Sequence, residues 1–403
     1  MIEIICTNNN VKKSYPIGTN LLQIAEDQNI KLPYPILAAK VNNEVKSLKY
    51  EIYKDKIVTF IDASDISGFL IYERSLYFLL YKAVKDLYPG VRLLIKHSIS
   101  GGKYCEFENN DFEITEDVAA AIEARMGELV AADLPIERKE ILTKDAIELY
   151  DKEGLIAKRN LIEDRNYLYT SVYYLDDCIN YFYGSLVPST SYLKLFSLKK
   201  YENGMLLNMP SRHHPDKLSN VYRSPKLFSI FNEHKKWNDV LGISYVSDIN
   251  KLIKTGHSKE IILVSEALQE KRITQIADKI AAKGDVKIVL LSGPSSSGKT
   301  TTSKRVSVQL GVLGYKPLPI SMDNYFVERE QTPLDKNGNL DFEHLNAIDL
   351  ALFNEQLSDL IAGKTIETPT FDFQTGKKIW KGNKSAPVHL SLEFVPNLMS
   401  PSE

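Results

Sequence analysis

The spacing of apolar and polar positions changes period along the first sixty residues. Ile2 to Cys6 alternates as a half-buried strand does. Asn8-Asn9-Asn10 marks a turn, because Asn tolerates positive φ, and Val11 to Ile17 returns as the second hairpin strand. Thr19 stands where an N-cap belongs, ahead of the helical run Leu21-Leu22-Gln23-Ile24-Ala25. After Pro33 and Pro35, Ile36 to Val41 and Ile57 to Ile61 read as strands, with a turn at Asn42-Asn43 between them. The order over residues 1–62 is β-β-α-β-β.

Longer periods follow. Leu76 to Leu87 is apolar at helical spacing and ends at Tyr88-Pro89-Gly90. Val91 to His97 reads as a strand, and Glu116 to Leu129 as a second amphipathic helix. Tyrosines then crowd the text: Tyr167, Tyr169, Tyr173, Tyr174, Tyr181 and Tyr183. They fit a stacking platform for RNA. They equally fit half-buried strands whose hydroxyls sit at the edge. Residues 233–282 read as a helical connector, with Trp237 and Leu241 at i, i+4 and a helical pattern from Ile261 to Ile280. Lys283-Gly284-Asp285 ends it. Beyond lie a buried-strand run, Lys287 to Leu291, a helix over Thr301 to Leu310, and a second strand, Lys316 to Ser321.

Composition narrows the class. A chain of 403 residues is expected to hold two to four domains at ~100–200 residues each. An apolar share of 43% and a charged share of 25% are those of a soluble globular protein. A net charge of -2 excludes an overall basic nucleic-acid surface. No run approaches the ~18 apolar residues of a membrane helix. Met1 to Cys6 lacks a basic leader and reads as a strand rather than a signal peptide. Cys6, Cys105 and Cys178 lie too far apart for a metal knuckle or disulfide framework, which points to reduced thiols in the cytoplasm.

The chemistry sits after the Lys287 strand. Gly293-Pro294-Ser295-Ser296-Ser297-Gly298-Lys299-Thr300 fits G-x-x-x-x-G-K-[ST] at every fixed position, between a strand and a helix. The glycines let successive backbone N–H groups face phosphate oxygens. The following helix adds the positive end of its dipole. Lys299 reaches the β- and γ-phosphates, and Thr300 offers its hydroxyl to Mg²⁺. The candidate ATP-binding set runs from Gly293 to Thr301. Asp323 lies just past the second strand, where ligands of doubly wound sheets bind. There it can accept the proton of an attacking hydroxyl or help hold Mg²⁺. Its other reading is a turn residue before Asn324-Tyr325. Lys299 and Asp323 are the candidate catalytic pair.

Three resemblances follow from these segments. Ala38-Ala39-Lys40-Val41-Asn42-Asn43-Glu44, in its β-β-α-β-β setting, resembles the β-grasp module called TGS. Arg74-Ser75-Leu76-Tyr77-Phe78-Leu79-Leu80, Leu87-Tyr88-Pro89-Gly90-Val91 and Asp176-Asp177-Cys178 resemble the editing region of threonyl-tRNA synthetases. In that family two histidines at i, i+4 on one helix meet a Cys and a third His, a set suited to metal or hydrolytic chemistry. The matching positions here are Arg74 and Phe78, with Phe182 in place of the last histidine. Asp176 and Cys178 remain, and Cys178 alone reads as a buried thiol. The resemblance therefore implies an inactive descendant, kept for architecture or binding. His213-His214 sits in a loop composition and reads as solvated rather than metal-binding.

Residues 285–382 resemble the uridine kinase and phosphoribulokinase family. Ser321-Met322-Asp323-Asn324-Tyr325-Phe326 matches the segment whose Asp is the family's base. Asp341-Phe342-Glu343-His344, with Ala347-Ile348-Asp349, matches a substrate-binding segment, and Pro369-Thr370-Phe371-Asp372-Phe373 the one leading to the nucleobase pocket. The implied substrate contacts are Glu343, Phe371 and Asp372. Glu343 also reads as a solvated charge. Phe371 and Gly376 stand where uridine kinases place a Tyr and a His that contact the base. Loss of those hydrogen-bond partners removes the basis for uracil selectivity. After Lys384 no family motif is legible, neither a further Mg²⁺ carboxylate nor a lid arginine, so the kinase unit reads as truncated.

The expectation is a multidomain α/β and α+β chain. It has a TGS-like β-grasp domain over 1–62, an editing-like α+β domain over 63–232, a connector over 233–282 and an incomplete P-loop kinase domain over 283–403. The expected function is ATP- and Mg²⁺-dependent phosphoryl transfer to a hydroxyl of a nucleoside or phosphosugar-like molecule. The alternative is a nucleotide-sensing, RNA- or tRNA-binding regulator without turnover.

Overall fold

The computed structural model describes residues 1–108, 112–294, 296–335, 338–382, 384–385 and 390–396. The chain is mixed α/β with several separate sheets. It divides into two compact units, Met1–Gly256 and His257–Glu403. The stretch expected as a connector, 233–282, is shared between them.

The first unit opens with β1 (Ile2–Cys6) and β2 (Val11–Tyr15), an antiparallel hairpin. Then come α1 (Leu21–Asp27), β3 (Ala38–Val41), β4 (Glu44–Ser47) and β5 (Lys56–Ile61). The sheet order is β2-β1-β5-β3-β4, with β1 and β5 parallel at its centre. Ile4, Leu21, Ile24, Val58 and Phe60 form its core. The asparagine turns behave as their residue type dictates: Asn10, Asn42 and Asn43 have φ of 58°, 47° and 68°. The helix start differs from expectation by one residue. Asn20, not Thr19, is the N-cap, because Asn20 and Gln23 bond each other's backbone N–H in a capping box.

Next comes α2 (Ile66–Leu87), ten residues longer at its start than its apolar run suggested. Asp65 caps it through the Ser67 amide at 2.8 Å. A Cβ on Gly68 would lie 1.9 Å from the Asp62 carbonyl oxygen, so only glycine fits this approach. Strands β6 (Leu93–Ile99) and β7 (Gly102–Phe107) and helix α3 (Glu116–Ala131) follow. So do β8 (Ile136–Leu142), α4 (Thr143–Lys152), α5 (Ile156–Glu163), β9 (Tyr169–Leu175) and β10 (Cys178–Asn180). The last two long strands are β11 (Ser197–Tyr201) and β12 (Gly204–Asn208). They build two antiparallel sheets, β8-β9-β10 and β11-β12-β7-β6. The main core joins α2 and α3 to both, through Leu76, Phe78, Leu80, Met126, Leu175 and Leu207. His213 and His214 lie on a short hairpin rather than an open loop: Pro210–Ser211 pairs with His214–Leu218. Both histidines are exposed. Among the described residues no group of three or more His, Cys, Asp or Glu is placed to hold a metal ion. Helices α6 (Pro225–Leu241) and α7 (Val246–Lys254) complete the unit.

The second unit begins with α8 (Ser258–Ala282), which packs on α9 (Lys299–Val312) through Ile273, Ala277, Val306 and Leu310. Its strands are β13 (Ile288–Gly293), β14 (Pro317–Ser321), the hairpin β15 (Thr370–Asp372) and β16 (Lys377–Ile379), and β17 (Leu390–Pro396). Helix α10 (Leu350–Ile361) lies between β14 and β15 in sequence. Strand β17 lies beyond Lys384, where the sequence shows no family motif. It runs parallel between β13 and β14 and forms the middle of their sheet. Its signal was present as period-two alternation, Leu390, Leu392 and Phe394 against Ser391 and Glu393. Parallel neighbours distant in sequence complete it, and no local turn announces it. Among the described residues no helix is long and apolar enough to cross a membrane.

Candidate functional site

Strand β13 ends at Gly293 and α9 starts at Lys299, so the motif spans a strand-to-helix turn. Ser296 and Gly298 have φ of 59° and 82°, the left-handed conformations that turn backbone N–H groups inward. A Cβ on Gly293 would stand 2.8 Å from Ser297 Oγ, so a larger residue would press on the loop. Lys299 Nζ folds back over the loop, donating to the Gly293 carbonyl at 2.6 Å and the Pro294 carbonyl at 2.9 Å. Ser296, Ser297, Gly298, Thr300 and Thr301 are exposed, so the cradle is open to solvent. Ser295 lies outside the described residues. The donors, the lysine and the Thr300 hydroxyl at a helix N-terminus fit Mg·ATP phosphates.

Asp323 follows the neighbouring strand end. Gly293 pairs with Pro396 and Ser321 with Phe394, both across β17, so β13 and β14 finish at the same carboxyl edge of the sheet. Asp323 lies on the turn that begins directly after Ser321. It sits exposed on a short 3₁₀ turn, Met322–Tyr325. The turn is held from below: Tyr325 is buried and donates to Gln356 Oε1 at 2.8 Å, and Gln356 Nε2 donates to the Glu367 carbonyl at 2.8 Å.

The proposed acceptor residues come to the same region through one core. Ile320, Met322, Phe326, Ile348, Phe353 and Phe371 pack together. Phe326 bridges Ile348, which brings in the 341–348 segment, and β15 packs on the Asp323 turn. Within that region the three residues differ. Glu343 is exposed, its amide tied to Asp341 Oδ1 at 3.0 Å. Phe371 is only 5% exposed, its ring covered by Phe326 and Phe373. Asp372 accepts from the Gln374 amide and the Thr375 hydroxyl, both at 2.9 Å. The Gln374 amide, then that hydroxyl, hold its carboxyl below the usual range. Gly376 has φ of 72°, and a Cβ there would meet Arg329 Cβ and Nε at 2.8 Å. Arg329 itself went unnoticed in the sequence. It clasps this turn through the Phe373 carbonyl at 2.5 Å and through its own amide to the Gly376 carbonyl at 3.0 Å. No local pattern marks a contact across more than forty residues.

In the first unit, the positions matched to the lost histidines do meet. Phe78 on α2 and Phe182 lie with ring centroids 5.3 Å apart, and Tyr173 closes on Phe182 at 6.0 Å. Arg74, one turn before Phe78, donates to the Ser185 carbonyl at 3.2 Å. Cys178 is fully buried, and burial pushes its thiol up to about 12. Lys82 pins the turn before it, at 3.0 Å from Asp176 and in contact with Asp177. What remains is an aromatic contact in the same core as an inert, buried thiol.

Known proteins divide along the same line. Residues 288–392 match the model of the phosphoribulokinase / uridine kinase family. That stretch is of the P-loop kinase type. The N-terminal half is similar to threonine–tRNA ligases. The ligase of Parabacteroides distasonis is 35% identical over 198 residues, covering 48% of this chain and 30% of the ligase. That of Syntrophomonas wolfei is 32% identical over 184 residues, covering 45% and 29%. The chain thus spans about 30% of the length of these ligases. A solved structure described as a possible uridine kinase from Bacillus stearothermophilus is 22% identical, with a TM-score of 0.27 over 32% of this chain and 73% of the other.

Proposed function

We propose that this chain is an ATP-dependent kinase of the uridine kinase and phosphoribulokinase type, acting on a hydroxyl of a nucleoside or phosphosugar-like molecule. The carrying observation is the open P-loop at the carboxyl end of a parallel sheet, with Asp323 on the turn that leaves the same edge of that sheet. Mg·ATP supplies the γ-phosphoryl group when bound. Backbone amides of the 293–298 turn hold phosphate oxygens, and Thr300 is the protein's Mg²⁺ ligand. Asp323 takes the proton of the acceptor hydroxyl as that oxygen bonds to phosphorus. Lys299 leaves its two carbonyl partners and balances the charge that gathers on the phosphates as the bond to the ADP oxygen breaks. Glu343 is the free carboxylate for a polyhydroxyl acceptor. Phe371 and Asp372 act through the shape of the wall, since one is covered and the other is engaged in its own turn.

In this reading residues 1–62 are a TGS-like β-grasp domain and 63–232 an editing-like domain without its histidines. Residues 233–282 connect them to a kinase domain over 283–403, and the protein works in the cytoplasm. ATP consumption against a panel of nucleosides and phosphosugars tests it, comparing the parent chain with Lys299→Ala and Asp323→Asn. Turnover confined to the parent chain supports the reading; equal turnover in all three overturns it.

One observation favours a second reading. The Phe78–Phe182 contact replaces hydrolytic groups while several tyrosines nearby stay exposed. A nucleotide-sensing regulator that binds RNA or tRNA without turnover fits that pattern. Co-purification of tRNA or rRNA with no phosphoryl transfer would select it.

A further inference from the structure

The first unit carries a cleft that the kinase reading does not use. Its floor is one face of β9. Side chains alternate along a strand, so Tyr169, Ser171 and Tyr173 share a face, while Thr170, Val172 and Tyr174 turn to the opposite side. Val172 packs there with Ala146 and Tyr150 of α4. Arg138 on β8 pairs directly opposite Tyr173, and its guanidinium reaches Ser171 Oγ at 2.5 Å. Arg165 comes in before the strand, and Tyr181, Phe182 and Tyr183 after it. The space enclosed is about 630 Å³, within the ~300–1,000 Å³ of small-ligand sites.

Two features of the lining are unusual together. Arg74, Arg138 and Arg165 all line it, and their hydrogen-bond partners are neutral: the Ser185 carbonyl, the Ser171 hydroxyl and the Tyr181 hydroxyl. Glu73 acts on Arg74 from its own helix, but that carboxylate is held by Lys103 at 2.9 Å. Arg74 Nε is buried without a hydrogen-bond partner. The lining also holds Glu44, but that carboxylate is paired with Lys46, so the cleft keeps an excess of cations that an anion would offset. The second feature is aromatic. Tyr183 is 78% exposed and Tyr169 53%. Arg165 lies 5.4 Å from the Tyr181 ring and 5.6 Å from the Tyr183 ring, so stacking surface and cation are already assembled.

We propose that this cleft binds a nucleoside phosphate, its base on the exposed tyrosines and its phosphate on Arg74, Arg138 and Arg165. Exposed rings offer a planar base area at small ordering cost. Guanidinium forks match phosphate oxygens in geometry as well as charge. A neighbouring cavity of about 520 Å³ shares Lys46, Arg138, Tyr173 and Ser185 with it and adds Lys49 and Lys139 together with Glu51 and Glu137 and the rings of Tyr50 and Tyr53. The ligand is therefore a free nucleotide or one residue of a strand that continues into that second cavity. The buried Cys178 takes no part.

The test uses the full chain carrying Lys299→Ala, which silences the P-loop. Failure of this site and failure of the kinase reading are then separate results. Calorimetric titration with AMP, UMP, pyrophosphate and a short single-stranded RNA supplies the arms. AMP or UMP should bind, and Arg138→Ala and Arg165→Ala should each weaken binding about tenfold or more. Tyr183→Ala should weaken it about fivefold. Arg138→Lys should keep part of the affinity and an unchanged melting temperature, which separates lost contact from lost fold. RNA binding with the same arginine dependence, and far above either mononucleotide, identifies a strand as the source. Pyrophosphate binding as tightly as AMP overturns the role given to the tyrosines. No binding by AMP, UMP or RNA, or binding indifferent to both arginine variants, overturns the site.

Discussion

Two regions of this molecule match catalytic segments of known families, and they have opposite character. The P-loop of the second unit keeps every fixed residue, opens to solvent, and holds two residues at positive φ. The Phe78–Phe182 region of the first unit instead has packed rings and a buried thiol at its matched positions. A site and a core demand different things of the same backbone. A site pays for open space and unsatisfied donors, whereas a core recovers stability from each atom packed. The difference teaches that a matched segment carries chemistry only where its space remains open.

The largest effects should separate the two regions by the kind of loss. Lys299→Ala is expected to cut ATP turnover about a thousandfold, in the range seen when a charge-stabilising donor is removed. The melting temperature should hardly change, because Lys299 bonds only two loop carbonyls. Phe78→Ala should do the reverse. It removes a fully buried ring and should cost about 3–5 kcal/mol in urea unfolding of the first unit, with turnover per folded molecule unchanged. A Phe78→Ala chain of parental stability would show that the ring contact is incidental and the region still a site.

A smaller effect tests whether the contrast also runs through the second unit. Its P-loop is open, whereas in the proposed acceptor region Phe371 is covered and Arg329 clasps the following turn. Gly376→Ala places a side chain at φ of 72° and against Arg329. The expected cost is about 1–3 kcal/mol, read by thermal melting. Gly376→His, which restores the residue found in uridine kinases, should cost at least as much and confer no uridine turnover. Uridine phosphorylation by that variant would mean that a base pocket survives behind the turn.

Much of this was legible from residue types alone. The asparagine turns, the strand–loop–helix of the P-loop and the loss of histidines at Arg74, Phe78 and Phe182 required no partner to be seen. The remainder depended on partners distant in sequence. Asn20 outranks Thr19 as a cap because Gln23 answers it. Strand Leu390–Pro396 alternates, but only Ile288–Gly293 and Pro317–Ser321 on either side make it central. Phe371 looked like a ligand wall because its segment matched one, and only the packing of Phe326 and Phe373 covers it. Arg138, Arg165 and the tyrosines converge through pairing of β8 with β9, which no spacing along the chain reveals.

The smallest predicted effect lies at Lys158, where the filled region keeps one charge. Its ammonium stands 5.5 Å from the Phe182 ring centre and donates to Asn180 Oδ1, and no carboxylate lowers the cost of its burial. Desolvation alone pushes the group down to about 8, from 10.5 in the unfolded chain. Between those values Lys158 holds more protons in the unfolded chain than in the folded one, so its own contribution to the stability of the first unit should rise with pH. Water reaches part of this side chain, so the rise is expected to be about 1 kcal/mol or less. Lys158→Met keeps the stem over Phe182 and removes the proton. Its stability should lack this rising contribution from pH 8 to 9.5 and lie slightly above the parent's at neutral pH. The raised thiols of Cys105 and Cys178 and the raised Tyr72 hydroxyl oppose this rise, but equally in both proteins, so the difference between the two curves isolates Lys158. Parallel pH curves for the two proteins would mean that Lys158 stays fully solvated, and that the region is more open than its aromatic contact implies.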